Sequence, residues 1–451
     1  MTRRRMLIIG LAAALFQPPS ALRAQVPGAG TGTPRAAELE LSLEDAVTRA
    51  LAASHRIEEA RARGEAATAI VGARHAATRP QVAAVGGYTR TNHVDEFGIL
   101  LPNNQLRVIY PDIPDNYRAR LDVQYPIYTS GRLQAIERAA QLEATAAATD
   151  TDTTAGDVRL DVTRAFWTLV VARESQRVVD ESLRRMGEHL RDVRNQFDAG
   201  LVPPNDVLTV QAQEARQRML SIQARTSREM AEADLARLVG AAPGTAVVPL
   251  SVLTPPATEG TAEALLADAR RNRPERQALE QRMAAAETRG RAAQAGRRPV
   301  VAVAGGVDYA RPNPRIFPRL GEWRESWDAG INVSWPIFDG GRAKSEVAEA
   351  SAGVRALQAR LAEFDSMVAL EIRQRLSELE SSRAALDAAD VAVRAATEAR
   401  RVIGERFAAG VATSTDVVDA QVAILQAELD RTQAIAAARL ADARLTRAVG
   451  R

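Results

Sequence analysis

The segment YPIYTSGR at residues 125–132 returns 210 positions later as WPIFDGGR at residues 335–342. At the same offset, FDAGLVPPNDVL at residues 197–208 returns as FAAGVATSTDVV at residues 407–418. Two motifs repeated in the same order at one fixed offset indicate an internal duplication. The chain is therefore predicted to consist of two copies of one structural unit.

Proline spacing marks a long helix in each copy. No proline lies between Pro126 and Pro203, and none follows Pro336. These uninterrupted stretches predict helices from about Arg132 to Asp198 and from about Arg342 to Ala408, each roughly 100 Å long at 1.5 Å per residue. Helices of that length need a packing neighbour along their whole extent.

Shorter helical stretches flank the long ones. They run from about Leu43 to Thr78, Asp206 to Val239, Ala262 to Arg297 and Thr415 to Val449. Prolines mark a connecting segment of loop or short strand between the copies: Pro243, Pro249, Pro255 and Pro256. We therefore predict a first structural repeat over residues 25–255 and a second over residues 256–451.

Apolar residues recur along the helices with the heptad spacing of a coiled coil. In the first long helix they are Val179, Leu183, Met186, Leu190, Val193 and Phe197. The spacing continues at Leu208, Ala212, Ala215, Met219 and Ile222, and in the second copy at Val418, Val422, Leu425 and Leu429. Each copy is therefore predicted to form a helical hairpin.

The hairpin tips are predicted at about residues 197–206 and 407–416. Gly200 and Gly410 suit the left-handed conformation that commonly ends a helix. The returning helices are predicted to open at Pro203-Pro204 in the first copy and at Thr413-Ser414 in the second.

Four segments have the alternating pattern of β-strands. The alternation is clean within residues 117–128 and 327–338, and weaker within residues 81–92 and 300–309. In the first of these, Tyr117, Ala119, Leu121, Val123 and Tyr125 alternate with polar residues. Each copy is therefore predicted to contribute a two-stranded hairpin with a long connection.

Aromatic residues concentrate around these strands. Residues 80–128 and 299–338 contain all six Tyr and three of the four Trp. An apolar strand face with aromatic ends fits an outer-membrane barrel; a soluble sandwich or an interface sheet is the alternative. Four strands cannot close around a pore, and open edges in hydrocarbon would leave backbone amides unpaired. Several subunits must therefore complete the barrel, and the strands alone leave two or three copies open.

The N-terminus has the composition of an export signal. Residues 1–24 combine three consecutive arginines with an apolar run that is too short to span a bilayer as a membrane anchor. Their removal takes away four arginines and no acid, and changes the formal net charge from +3 to −1. The basic balance of the whole chain therefore predicts no nucleic-acid partner.

Taken together, the repeated motifs resemble the TolC family of outer-membrane efflux proteins over essentially the whole mature chain. The resemblance rests on the two Pro-Ile-aromatic-x-x-Gly-Arg segments, at 126–132 and 336–342, and on the two tip motifs. It implies a mostly α, α+β fold: a homotrimer with a twelve-stranded β-barrel in outer-membrane lipid, four strands per subunit. A long α-helical coiled-coil barrel continues it into the periplasm, where the tips meet a membrane-fusion adaptor linked to an inner-membrane transporter.

The resemblance also assigns candidate site residues. Those of the pore constriction are Asp416, Asp419 and Asp206; those of the adaptor-docking tips are Gly200, Leu201, Gly410 and Val411; those of the barrel-to-helix transition are Pro126, Gly131, Pro336 and Gly341. The motif Thr413-x-x-Asp416 leaves open a second interpretation, in which Asp416 caps a helix. Ala412 stands where many relatives carry a basic residue, which argues against a closing latch built on that residue.

Catalytic motifs are missing from the sequence. The four histidines, at 55, 75, 93 and 189, lack the paired spacing of a metal site, and there is no nucleophile motif or phosphate loop. His189 is predicted to be a solvated helix residue. The chain has no cysteine, which excludes disulfides, thiolate metal sites and a lipid-modified cysteine. We therefore predict no enzymatic activity, no metal and no cofactor.

The predicted function is that of a passive exit duct in the cell outer membrane with a large periplasmic portion. It would serve a tripartite efflux or type I secretion system, whose inner-membrane pump supplies the energy. The alternative is a trimeric coiled-coil surface stalk or adhesin with a β-barrel anchor. Duplication argues against the stalk, because two hairpins per subunit form a wide ring of helices rather than a thin rod.

Overall fold

The computed structural model describes residues 38–242, 244–251 and 260–450, so the predicted export signal lies outside the described residues. In chain order the elements are β1 (Glu38–Leu41), α1 (Leu43–Ala53), α2 (His55–Ala76), β2 (Gln81–Arg90), β3 (Phe97–Leu100), β4 (Leu106–Tyr110), β5 (Asp115–Tyr128), α3 (Arg132–Asp198), α4 (Pro204–Leu238), β6 (Ala246–Pro249), α5 (Ala262–Asn272), α6 (Pro274–Ala295), β7 (Val300–Arg311), β8 (Arg324–Ser334), α7 (Arg342–Ala408) and α8 (Ser414–Ala448).

The two long helices, α3 and α7, are confirmed at both ends. Each has 67 residues and begins after a glycine in the left-handed conformation. Helices α4 and α8, of 35 residues each, run back beside them from the hairpin turns. α3 also packs against α2, α6 and α8, which satisfies its need for neighbours along its length.

The other two predicted helices are each broken once. Residues 43–78 form α1 and α2, separated at Ser54, and residues 262–297 form α5 and α6, separated at Arg273. Both separating residues have extended backbone angles. At Arg273 the cause is the following Pro274, because the residue before a proline is disfavoured in the α conformation. The two breaks occupy equivalent positions in the two copies, because before the strands the offset between the copies is 219 residues, as Pro80 and Pro299 show.

The four long strands form one antiparallel sheet in the order β2-β5-β7-β8. The two hairpins are therefore joined through β5 and β7, one strand from each copy. β8 ends at Ser334 rather than at the predicted 338, whereas β5 continues through the equivalent Pro126 to Tyr128. β2 likewise ends at Arg90, two residues short of the prediction.

Two small sheets were not predicted. β3 and β4 form an antiparallel hairpin inside the connection between β2 and β5. β1 pairs in parallel with β6, from Glu38 opposite Ala246 to Leu41 opposite Pro249. The second pairing ties the first described residues to the segment between the copies, where the prolines indicated a loop or short strand.

Burial along the hairpins agrees only in part with the predicted heptads. In α3 the stripe holds except at its end: Val179, Met186, Leu190 and Val193 are buried, whereas Phe197 is 42% exposed. In α4 it is wrong, because its large members are exposed (Leu208 65%, Met219 54% and Ile222 61%) while other positions are buried (Val210, Gln217 and Ser221). The predicted apolar stripe of α4 thus lies on the open side of the protomer, and a different face meets α3.

The largest core cluster lies where the middle of α3 meets α1, the end of α4 and the small parallel sheet. Phe166 and Leu169 are completely buried there, and Trp167 packs edge-on against Phe166 with ring centroids 5.6 Å apart. No helix among the described residues has the length and apolar character needed to cross a bilayer.

Candidate functional site

Both hairpin tips end their long helix in the same way. In the first, Gly200 has φ 76°, its N–H donates to the Phe197 carbonyl at 2.8 Å, and the Leu201 N–H donates to the Gln196 carbonyl at 2.8 Å. This pair of bonds is the Schellman motif, whose left-handed residue is normally glycine. The predicted left-handed conformation at Gly200 is confirmed.

The second tip repeats this geometry. Gly410 has φ 75°, its N–H donates to the Phe407 carbonyl at 3.0 Å, and the Val411 N–H donates to the Arg406 carbonyl at 2.9 Å. The residue after each glycine is apolar and open to solvent: Leu201 is 76% exposed and Val411 63% exposed. Each tip therefore presents one aliphatic side chain held at a fixed backbone turn.

Asp416 is tied to the start of α8. The Thr413 backbone N–H and hydroxyl each donate to Asp416 Oδ2 at 2.8 Å, and the Asp416 N–H donates to Thr413 Oγ1 at 3.2 Å. The capping box that the sequence left open is thus present. The hydrogen bond from the Thr413 backbone, followed by that from its hydroxyl, holds the pKa of Asp416 below its ordinary value, so the carboxylate is charged at neutral pH.

The other two candidate acids lie close to the tips. Asp419 is exposed one helical turn beyond Asp416, so the two carboxylates share a face of α8. Asp206 occupies the first turn of α4 and is half-buried, and it accepts a hydrogen bond from Asn205 Nδ2 at 3.1 Å. Of the three candidate acids, one therefore lies at the first tip and two at the second.

His189 was predicted to be solvated, and that prediction is wrong. The side chain is 5% exposed, with Nε2 3.0 Å from Ser414 Oγ and the ring edge-on to Phe407 at 5.2 Å. Burial lowers its pKa, so the imidazole is neutral at neutral pH. His189 thereby links the first hairpin to the tip of the second. The sequence signal for its burial was the spacing that places His189 on the same helix face as Met186 and Val193.

The transitions from strand to helix differ between the copies. Gly131 and Gly341 are both left-handed, with φ 81° and 89°. In the first copy Pro126 lies inside β5, next to a register shift in its pairing with β7. In the second, Pro336 follows β8, and Asp339 accepts hydrogen bonds from the N–H groups of Gly341 and Ala343 at 3.0 and 2.9 Å. A left-handed glycine thus precedes the long helix in both copies, but the segment between strand and glycine differs.

The four-stranded sheet has one apolar and one charged face. On the apolar face Leu121 lies opposite Ala84 and Val307, and Val307 opposite Trp327. Every member of this row except Ala84 is a large exposed hydrophobic side chain. In the barrel of a membrane protein such a face is the one that meets lipid.

The charged face carries an ion-pair network that the sequence analysis missed. Arg118 Nε lies 2.6 Å from Asp308 Oδ1, and Arg120 Nη1 contacts Asp308 and lies 3.0 Å from Asp328 Oδ1. A Cβ on Gly306 would stand 2.7 Å from the Arg120 guanidinium, so glycine makes room for it. The sequence signal for this network was the placing of arginines and aspartates at alternate positions of the strands.

The family follows from the sequence as well as from this geometry. The model of the outer membrane efflux protein family matches residues 46–241 and 265–451, one segment for each copy. The chain belongs to this family. The class that this family defines is that of outer-membrane efflux proteins.

Individual relatives are distant in sequence and close in fold. The chain is 27% identical over 354 residues to protein CyaE of Bordetella pertussis, an alignment that covers 77% of this chain and 71% of that protein. It superimposes on the outer membrane protein VceC of Vibrio cholerae with a TM-score of 0.73 at 20% identity, over 90% of this chain and 96% of that chain. The CmeC outer membrane channel of Campylobacter jejuni gives a TM-score of 0.74 at 17% identity, over 90% and 85%.

Proposed function

We propose that this protein is one subunit of a homotrimeric exit duct in the outer membrane, through which substrates delivered by an inner-membrane pump and a periplasmic adaptor pass. The observation that carries the proposal is the four-stranded sheet with one apolar face and two open edges, β2 and β8. Such edges cannot remain unpaired in hydrocarbon.

Pairing with identical neighbouring subunits gives both edge strands, β2 and β8, backbone hydrogen-bond partners and closes the barrel. The strands alternate in direction across the sheet, so β8 of one subunit runs antiparallel to β2 of the next. Three subunits supply twelve strands, an even number of the kind that outer-membrane barrels use. The apolar face then meets lipid and the charged face lines the lumen.

The helices extend the duct away from the membrane. All four long strands connect to helices at the same end of the sheet, and α3 and α7 each rise roughly 100 Å from it. The exposed stripe of α4, with Leu208, Met219 and Ile222, is the surface on which a neighbouring subunit packs. The paired tips, with Leu201 and Val411 exposed, are the surface that the adaptor contacts.

Conductance separates the duct from the surface stalk. We expect the purified trimer in a planar bilayer to give discrete, long-lived conductance steps, because an open luminal path admits ions. A stalk with a plugged anchor gives none. Absence of conductance steps from correctly assembled trimers would contradict the proposed function.

We further propose that Asp416 and Asp419 line the periplasmic mouth and set its preference for cations. Threefold symmetry places six carboxylates around one opening, and a ring of one sign concentrates ions of the other. Replacing both by asparagine should move the reversal potential in a salt gradient toward zero. The amide keeps an acceptor oxygen for Thr413, so the trimer should assemble normally.

Thr413→Ala is the matched control for the capping role. It removes the hydroxyl of the capping box and keeps both carboxylates, at a cost of about 1 kcal/mol of helix stability. Cation preference should therefore stay as in the wild type. If the Asp416→Asn and Asp419→Asn double variant retains the full cation preference in an intact trimer, these acids do not face the pore.

A further inference from the structure

The connection between β7 and β8, residues 312–323, bends back along the sheet instead of extending from it. Asn313 is 2% exposed, and its side-chain amide donates to the Arg324 carbonyl and to Ser326 Oγ, each at 3.0 Å. Arg315 reaches further down β8: Nη1 donates to the Trp327 carbonyl at 2.8 Å, and Nη2 lies 2.9 Å from Asp328 Oδ1. The loop is thus clasped to the charged face.

The same loop extends across to the opposite side of the protomer's sheet. Pro312, Pro314 and Arg319 line a cleft of about 260 Å³ together with residues of β2, β5 and β7. Its strand residues include Val85, Gly87, Thr89, Asn116, Arg118 and Ala310, all of which lie on the charged face in the observed register. The loop therefore reaches over one end of this face and forms a cleft with β2, whose residues stay exposed.

Two further contacts hold the loop in place. Arg319 Nη1 donates to the Tyr110 hydroxyl at 2.9 Å, and its guanidinium stands 5.0 Å from the centre of that ring, so the loop is joined to the β3–β4 hairpin. At its far end Trp323 stacks on Tyr309 at 5.0 Å, on the apolar face. Contacts on both faces of the sheet therefore fix the position of the 312–323 loop.

We propose that this loop forms a second constriction of the duct, at the mouth opposite the helices. The proposal rests on the proposed function, because the charged face lines a lumen only in the closed barrel. Three copies of the loop then project into one opening, with Arg315 holding each in place by its clasp on Asp328. The size of what leaves the duct is limited here as well as at the periplasmic tips.

Single-channel recording tests the clasp. Arg315→Ala frees the loop from Trp327 and Asp328, so the conductance of the assembled trimer should rise by about twofold, since ion flow is limited where a pore is narrow. Arg324→Ala is the matched control, because it also removes an arginine from the charged face. The Arg324 side chain pairs with Glu322 at 3.1 Å and contacts neither Trp327 nor Asp328 in the clasp. Its conductance should match that of the wild type.

A second variant keeps the clasp intact. Because the chain has no cysteine, Pro314→Cys introduces a single thiol into the loop. A bulky thiol reagent should then lower the current of the assembled channel and leave the wild-type current unchanged. Unaltered current in both Arg315→Ala and the modified Pro314→Cys channel would overturn the constriction, whereas a wild-type trimer that fails to conduct would overturn the duct itself.

Discussion

Replacing Leu121 or Ile331 by aspartate should eliminate the heat-modifiable trimer from outer-membrane fractions. Both side chains lie on the apolar face, with 47% and 69% of their surface exposed in the protomer. A carboxylate there costs about 2 kcal/mol near the middle of the bilayer, and each trimer carries three copies. The measurement is the yield of trimer on gels, with and without heating, after membrane fractionation.

Asn332→Asp is the matched control, because residue 332 follows Ile331 on the same strand and lies on the charged face opposite Ala302. The new carboxylate meets the aqueous lumen, so the trimer should form in normal yield. Normal trimer from Leu121→Asp and Ile331→Asp alike would show that this face does not meet lipid.

Replacing Gly200 and Gly410 together by valine should stop export and reduce cross-linking to the adaptor by at least about tenfold. Both positions have positive φ, where a β-carbon costs about 1–2 kcal/mol and a β-branched side chain more. The strained turns would shift Leu201 and Val411, the exposed side chains proposed to contact the adaptor. Cross-linking from engineered cysteines at the tips, together with export, measures the loss.

Replacing Gly200 and Gly410 by asparagine instead of valine distinguishes the effect of backbone strain from that of added side-chain volume. Asparagine tolerates the left-handed region better than other side chains, so the turns should persist and cross-linking should stay near the wild-type level. No atom lies near either missing β-carbon, so steric overlap does not complicate the comparison. Intact export and cross-linking in the valine double variant would remove the tips from the docking surface.

The architecture was predictable where local patterns decide it. The ends of α3 and α7 follow from glycines placed where a left-handed residue begins or ends a helix, and the long strands follow from alternation. The parallel pairing of β1 and β6 was not predictable, since each strand has four residues and their partners stand about 200 positions apart.

The errors at the site share a physical cause. Heptad spacing identifies an apolar stripe but not the neighbour that covers it, so Met219 and Ile222 were assigned to an internal seam although they face outward. His189 was misjudged because its burial comes from Phe407 and Ser414, which belong to the other copy. The loop containing Arg315 has no periodic pattern at all, and only its contacts reveal where it lies.

The charged face also distinguishes the two copies from each other. Arg118 of the first copy occupies the position of Asp328 in the second, and Asp308 of the second occupies that of Thr89 in the first. A ring built from first halves alone would therefore leave Arg118 without its aspartate, and one built from second halves alone would leave Asp308 without either of its arginines. The halves are complementary rather than interchangeable, and their covalent linkage in one chain supplies the two sets of charges in equal number.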